Sequence, residues 1–161
     1  MAKTFRNEKE LEDFILDKCK VAISQAEERV YSVIDSFLKN FYSWEPEEYK
    51  RTYQLLKHFV RKGVKKVGKG YEAEVYFDID KINYDQGLME LKNTSIHGKY
   101  GWATWDKQKV LDVTMTDNLP HGRYAGADKN EPIWTSSMNE LGDMLSLLEV
   151  ELKKQGIPIK K

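Results

Sequence analysis

Apolar residues along the first quarter of the chain recur at spacings of three and four. Leu11, Phe14, Ile15, Cys19, Ala22, Ile23, Ala26, Val30, Val33, Ile34, Phe37, Leu38 and Phe41 follow this period. It places them on one stripe of a helix, and neither Gly nor Pro interrupts residues 8–42. At 1.5 Å per residue such a helix is about 50 Å long, more than the core of a small domain spans. The pattern therefore predicts a helix with part of its stripe packed on another subunit. The alternative is a helix broken near Ser24 or Ser36 and folded back on itself.

A second helix is expected to follow a short turn. Ser43 or Trp44 precedes Glu45, Pro46, Glu47 and Glu48, and proline with acids suits a first helical turn. Tyr49, Tyr53, Leu56 and Val60 continue at helical spacing up to Gly63. The short connection predicts a helical hairpin, with Tyr49 and Tyr53 as its packing anchors.

Beyond Gly63 the period changes to two. "VKKV", the turn "GKG" and "YEAEVYFDID" read as two strands with a tight connection. Tyr71, Ala73, Val75 and Phe77 alternate with Glu72, Glu74, Tyr76 and Asp78, which predicts a strand with one buried face. Residues 81–106 read as irregular, with a short strand near Trp102. Residues 107–117 fit a short helix through Val110, Leu111 and Thr114, or a strand through Leu111, Val113 and Met115; the helix is the preferred reading. Ser137 and Glu140 form a capping-box pattern before Met138, Leu141, Leu145, Leu148 and Leu152. A C-terminal helix over 138–155 is predicted, stopped by Gly156 and Pro158.

These elements make an α+β fold: a long N-terminal helix and helical hairpin packed on a small antiparallel sheet, with a C-terminal helix. The 161 residues fit one domain. It divides into a helical hairpin over 8–62, a small sheet and loops over 63–135, and a C-terminal helix and tail over 136–161. There are no internal repeats. Cys19 is the only cysteine, so no internal disulfide forms. No apolar run approaches the ~20 residues of a membrane span, and "MAKTFRNEKE" lacks the apolar centre of a signal peptide. The expected setting is a reducing cytoplasm, or an assembly built there.

Charge sums to zero, from 26 basic and 26 acidic residues, but it is segregated. Lys50, Arg51, Lys57, Arg61, Lys62, Lys65, Lys66 and Lys69 fall in a stretch without an acid. Glu72, Glu74, Asp78, Asp80, Asp85 and Glu90 then stand against Lys81 alone. A basic edge beside an acidic edge can join copies head to tail, and such contacts close into rings when the rotation allows. The same basic run, interleaved with Tyr49, Tyr53, His58 and Phe59, can also bind phosphate and stack bases. It is a candidate subunit contact or DNA-facing edge.

Catalytic patterns are sparse. His97 and His121 each precede glycine, with Asp106, Asp117 and Asp128 nearby in the chain, but no spacing fixes a metal site on one element. A metal-dependent enzyme built on these histidines is the third reading, after assembly and nucleic-acid binding. Ser136 and Ser137 read as helix-cap residues, and Cys19 as core. The glycines at 63, 68 and 70 lack the Gly-Lys-Ser/Thr of a phosphate loop. No catalytic residue, metal or cofactor is expected.

"LPHGRYAGADKNEPIW", residues 119–134, combines a histidine, an arginine, two acids and a tryptophan. Pro120 and Pro132 restrict its backbone, while Gly122 and Gly126 permit bends. It reads as a shaped docking loop carrying His121, Arg123 and Tyr124, with Trp134 as an apolar anchor just before the C-terminal helix.

Three stretches together resemble small tailed-bacteriophage morphogenesis proteins of the head–tail joining and tail-completion group. "FYSWEPEEYKRTYQLL" is similar to the segment after their long N-terminal helix. "PHGRYAGADKNEPIW" resembles a later segment, although "RYAGADKN" is longer and more charged than the usual Gly-rich loop. The capped leucine helix with the tail "LKKQGIPIKK" fits the closing pattern. The resemblance implies a non-enzymatic virion protein with a long helix on a small sheet. Its copies would form a ring between portal and tail, or cap the tail tube. Its partners would be further copies, portal or connector and tail proteins, with passive contact to DNA and none to membrane.

Overall fold

A computed structural model of the chain describes residues 4–43, 53–82, 111, 115 and 133–159. Helix α1 runs unbroken from Glu8 to Phe41, 34 residues, so neither Ser24 nor Ser36 interrupts it. Its start is built locally. The Asn7 side chain accepts from the Glu10 N–H at 2.9 Å, and the Glu10 carboxylate accepts from the Arg6 N–H at 2.9 Å. One of the donors that a helix start leaves unpaired is thereby used, and the residue before the cap is tied to the first turn; Glu8 and Glu10 suit the dipole. Phe5 folds back onto Phe14, ring centroids 5.2 Å apart.

The expected second helix over 45–62 is corrected by the structure in its described part. Tyr53 takes a left-handed backbone conformation, φ 56°, which no helix interior accommodates. Helix α2, Gln54–Lys57, is a single turn, and strand β1, Phe59–Arg61, follows. Strand pairing overrides helical spacing here. Phe59 stacks on Phe77 at 4.9 Å, and β1 lies beside β4, Val75–Phe77. Tyr53 still acts as a packing residue, through its ring against Tyr42 at 5.0 Å. Tyr49 lies outside the described residues.

The tight hairpin is present. Strand β2, Lys65–Val67, pairs antiparallel with β3, Gly70–Glu72, in the register Lys65 with Glu72, Lys66 with Tyr71 and Val67 with Gly70. Gly68, at φ 56°, makes the reversal that a side chain resists. The run "YEAEVYFDID" is not one strand. It divides at Ala73 and Glu74 because its two ends pair with different partners, β3 with β2 and β4 with β1. The second pairing is bracketed by Lys62 N–H donating to the Glu74 carbonyl at 3.0 Å and Asp78 N–H donating to the His58 carbonyl at 2.9 Å. Tyr71, Ala73, Val75 and Phe77 are half-buried rather than buried. A 3₁₀ turn, Ile79–Lys81, succeeds β4. The candidate strand near Trp102 lies outside the described residues. Leu111 and Met115, four residues apart, are both helical and buried.

The C-terminal prediction is corrected as well. Instead of one helix from 138 to 155 there are two: α3, Ile133–Leu141, and α4, Met144–Lys154. Gly142 at φ 69° ends the first. Asp143 caps the second, accepting from the Ser146 N–H at 2.9 Å and its hydroxyl at 3.0 Å. Ser136 and Ser137 are therefore not caps; both are buried inside α3. Gly156, at φ 81°, closes α4 as expected, with Ile157 N–H bonded to the Leu152 carbonyl and Gly156 N–H to that of Lys153.

Contacts cluster into two compact units. The first comprises Met1–Ser32, Arg61–Val75 and Leu141–Lys161. It buries Ala22, Leu141 and Leu147, together with two acids, Glu27 and Glu151. The second comprises Val33–Val60 and Tyr76–Glu140. Val33, Ile34, Leu38, Leu55, Phe59, Ile82, Leu111, Met115 and Ile133 form its core.

Candidate interaction surface

The basic run meets acids of its own chain. Arg61 Nε lies 3.0 Å from a carboxylate oxygen of Glu27 on α1, and the other oxygen accepts the Gly63 N–H at 2.6 Å. The Glu27 side chain is 1% exposed. A carboxylate so deeply buried is tolerable only because a guanidinium and a backbone donor satisfy it. Gly63 presents that donor at φ 74°. Glu27 thus latches the start of the β2–β3 hairpin to the middle of α1.

Further along, Lys62 bonds Glu74 at 2.8 Å and Lys65 bonds its cross-strand partner Glu72 at 2.7 Å. Both pairs are solvent-exposed. The hydrogen bond from Lys62 holds the Glu74 carboxyl below its ordinary value, and the charge of Lys65 adds to this. Lys66 and Lys69 line an open cleft of about 400 Å³ with Gly68, Leu16, Lys9, Glu8, Glu12 and Asp13. Lys57 stands exposed at the end of α2 in the second unit. Lys50 and Arg51 lie outside the described residues.

The hairpin therefore sits on one side of α1. At 3.6 residues per turn, Leu16 and Glu27, which face it, lie within about 20° of each other around the helix. The opposite side carries Leu11, Phe14, Ile15, Lys18 and Val21 within about 120°. Near Gln25 that side meets the end of α4: the Gln25 side chain accepts from Gln155 at 3.1 Å. Ala22, just before it, is completely buried. Between residues 8 and 21 no α1 residue is buried, and Leu11, Ile15 and Val21 are 39%, 38% and 36% exposed. Val67, Met144, Leu145 and Val150 are also exposed and belong to the same unit. Leu145, at 71%, is the most exposed of them.

Of the docking-loop candidates, His121, Arg123 and Tyr124 lie outside the described residues, as does His97. Trp134 is placed, and it corrects the expected anchor: it sits in the first turn of α3, 46% exposed, while its neighbour Ile133 is the buried residue. Cys19 is half-buried on α1. Among the described residues no group of three His, Cys, Asp or Glu side chains is placed to hold a metal ion. Nor is any described helix long and apolar enough to cross a membrane.

Two features escaped the sequence pattern. Glu27 sits four residues after Ile23 and three before Val30, an acid at an apolar position of the helical period. That misplacement was the available signal for a buried latch. The pairing of Lys65 with Glu72 follows from the two-residue turn, because the register of a tight hairpin fixes cross-strand neighbours. Comparison with family models, with curated proteins and with solved structures returns no match.

Proposed function

We propose that this chain is a non-enzymatic subunit of a tailed-bacteriophage particle, acting by association at the head–tail junction or tail terminus. The supporting observation is the exposed apolar surface of the first unit: Leu11, Ile15 and Val21 on α1, Val67 on the hairpin, and Met144, Leu145 and Val150 on α4. Single exposed apolar residues are ordinary, but several gathered on one compact unit suit a surface that another chain covers. The phage setting rests on the resemblance of three sequence stretches to morphogenesis proteins. In this reading the Glu27 latch and the Lys62 and Lys65 ion pairs hold the hairpin in shape, and the docking loop with His121 contributes to assembly rather than turnover.

The basic run is less suited to nucleic acid than its composition suggested. Arg61, Lys62 and Lys65 each have a carboxylate partner within the chain, and a paired cation releases fewer phosphate counterions. The test is native mass by light scattering, with negative-stain imaging and joining assays against purified capsids and tails. The reading expects a multimer or a particle-bound protein. A strict monomer that joins neither would overturn it.

A further inference from the structure

We infer that the α1 face bearing Leu11, Ile15 and Val21 docks a basic amphipathic segment of a different protein. The inference rests on the reading of this chain as an associating subunit and names the partner chemistry of one of its surfaces. Three observations carry it.

First, the face is apolar and exposed over about three helical turns, on the side of α1 away from the hairpin. Phe14, packed against Phe5, and Lys18, its Nζ 5.8 Å over the Phe14 ring, complete it. Such a stripe matches a partner carrying apolar side chains at helical spacing.

Second, one border of the face is acidic. Glu10 and Asp17 flank it, and both are exposed, whereas Glu8 lines the cleft with Lys66 and Lys69. Lys9 and Lys20 point to the opposite side of the helix at this spacing. A partner bringing Lys or Arg to this border gains complementary charge, whereas DNA or an anionic membrane meets like charge.

Third, the same charges disfavour a second copy. In an antiparallel pair of these faces, a two-fold near residue 16 sets Asp17 against Asp17 of the other copy. A parallel pair sets Lys18 against Lys18 at the seam. Like charges so placed oppose pairing. The hairpin of another copy is a poor occupant too, since Lys62 and Lys65 are already ion-paired and Lys66 and Lys69 line the cleft against their own α1.

The test uses the full chain and two 18-residue helical peptides, one with leucines on one face and lysines elsewhere, the other with glutamates replacing the lysines. Binding is read by fluorescence anisotropy at low and high salt, with native mass measured in parallel. The lysine peptide is expected to bind at least about tenfold more tightly than the glutamate peptide, and less tightly as salt rises. The double variant Leu11→Ser/Ile15→Ser, unchanged in charge, should weaken that binding on the order of tenfold or more. Glu10→Lys/Asp17→Lys should weaken it as well, while Lys66→Ser/Lys69→Ser leaves it unaltered. Circular dichroism verifies that each variant stays folded. Equal binding of both peptides, or full binding by the Leu11→Ser/Ile15→Ser variant, overturns the inference. So does loss of native multimers in that variant without any peptide binding, which assigns the face to self-association. Multimers that persist while peptide binding is lost support it and separate its fate from that of the association reading.

Discussion

Glu27 shows how one residue can link elements distant in sequence. Its carboxylate is nearly solvent-free and spans Arg61 and the Gly63 N–H. Glu27→Ala leaves both partners unsatisfied and should cost about 3 kcal/mol in urea denaturation. Glu27→Gln, which keeps an acceptor, should cost less. Ser137 gives the opposite sign. Its hydroxyl is fully buried inside a helix, without a hydrogen-bond partner among the described residues. Ser137→Ala removes that unsatisfied group and adds helix propensity, so stability should be unchanged or rise by about 1 kcal/mol. A capping role for Ser137 predicts a loss instead, and the same denaturation experiment decides. Asp143 carries a pH signature. The hydrogen bonds it accepts from Ser146 hold its carboxyl below the ordinary value. A lowered folded value means its contribution is fully present above about pH 4, the unfolded value, and is lost as pH falls through the lowered folded value. Asp143→Ala should therefore lower Tm at neutral pH, with the difference from wild type shrinking on acidification below that point.

At the scale of elements, legibility followed the length and purity of the pattern. The unbroken three-and-four spacing of α1 made its ends readable to within a residue, because thirteen apolar positions agree on one period. The "GKG" hairpin was readable because glycine at φ 56° is the chemistry its turn requires. Short segments were not. Val60 fits helical spacing from Tyr49 yet lies in β1, since pairing with β4 and the Phe59–Phe77 stack outweigh a weak local preference. Near the C-terminus, Ser137–Glu140 imitated a helix start. The real start was Asp143 with Ser146, preceded by a glycine that ends α3. Gly142→Ala probes that break. A Cβ there meets nothing within 4 Å, so the cost is that of φ 69° alone. The loss should be about 1 kcal/mol by denaturation. A gain in both helicity and stability would show that the chain prefers the continuous helix.

For the molecule as a whole, charge was the least legible property. The segregation of acids from bases predicts a basic edge beside an acidic one. Within the chain, three of those bases are paired: Lys62 with Glu74, Lys65 with Glu72, and Arg61 with Glu27, an acid on α1 that the local pattern could not place beside the hairpin. Among the described residues of the first unit, large apolar side chains are exposed on α1 before Ala22, at the tip of β2 and on α4. A helix longer than its own core was readable from length alone, and the exposure of Leu11, Ile15 and Val21 gives that excess a location. The candidate surface was thus half legible: the helix that carries it, but not the residues left uncovered. The native mass of the full chain in solution, by light scattering coupled to size exclusion, tests the central claim of function by association most directly. The expected result is a mass that is a multiple of the 18.9 kDa chain, or a chain that joins purified capsids or tails. A stable 18.9 kDa species that binds neither would contradict it.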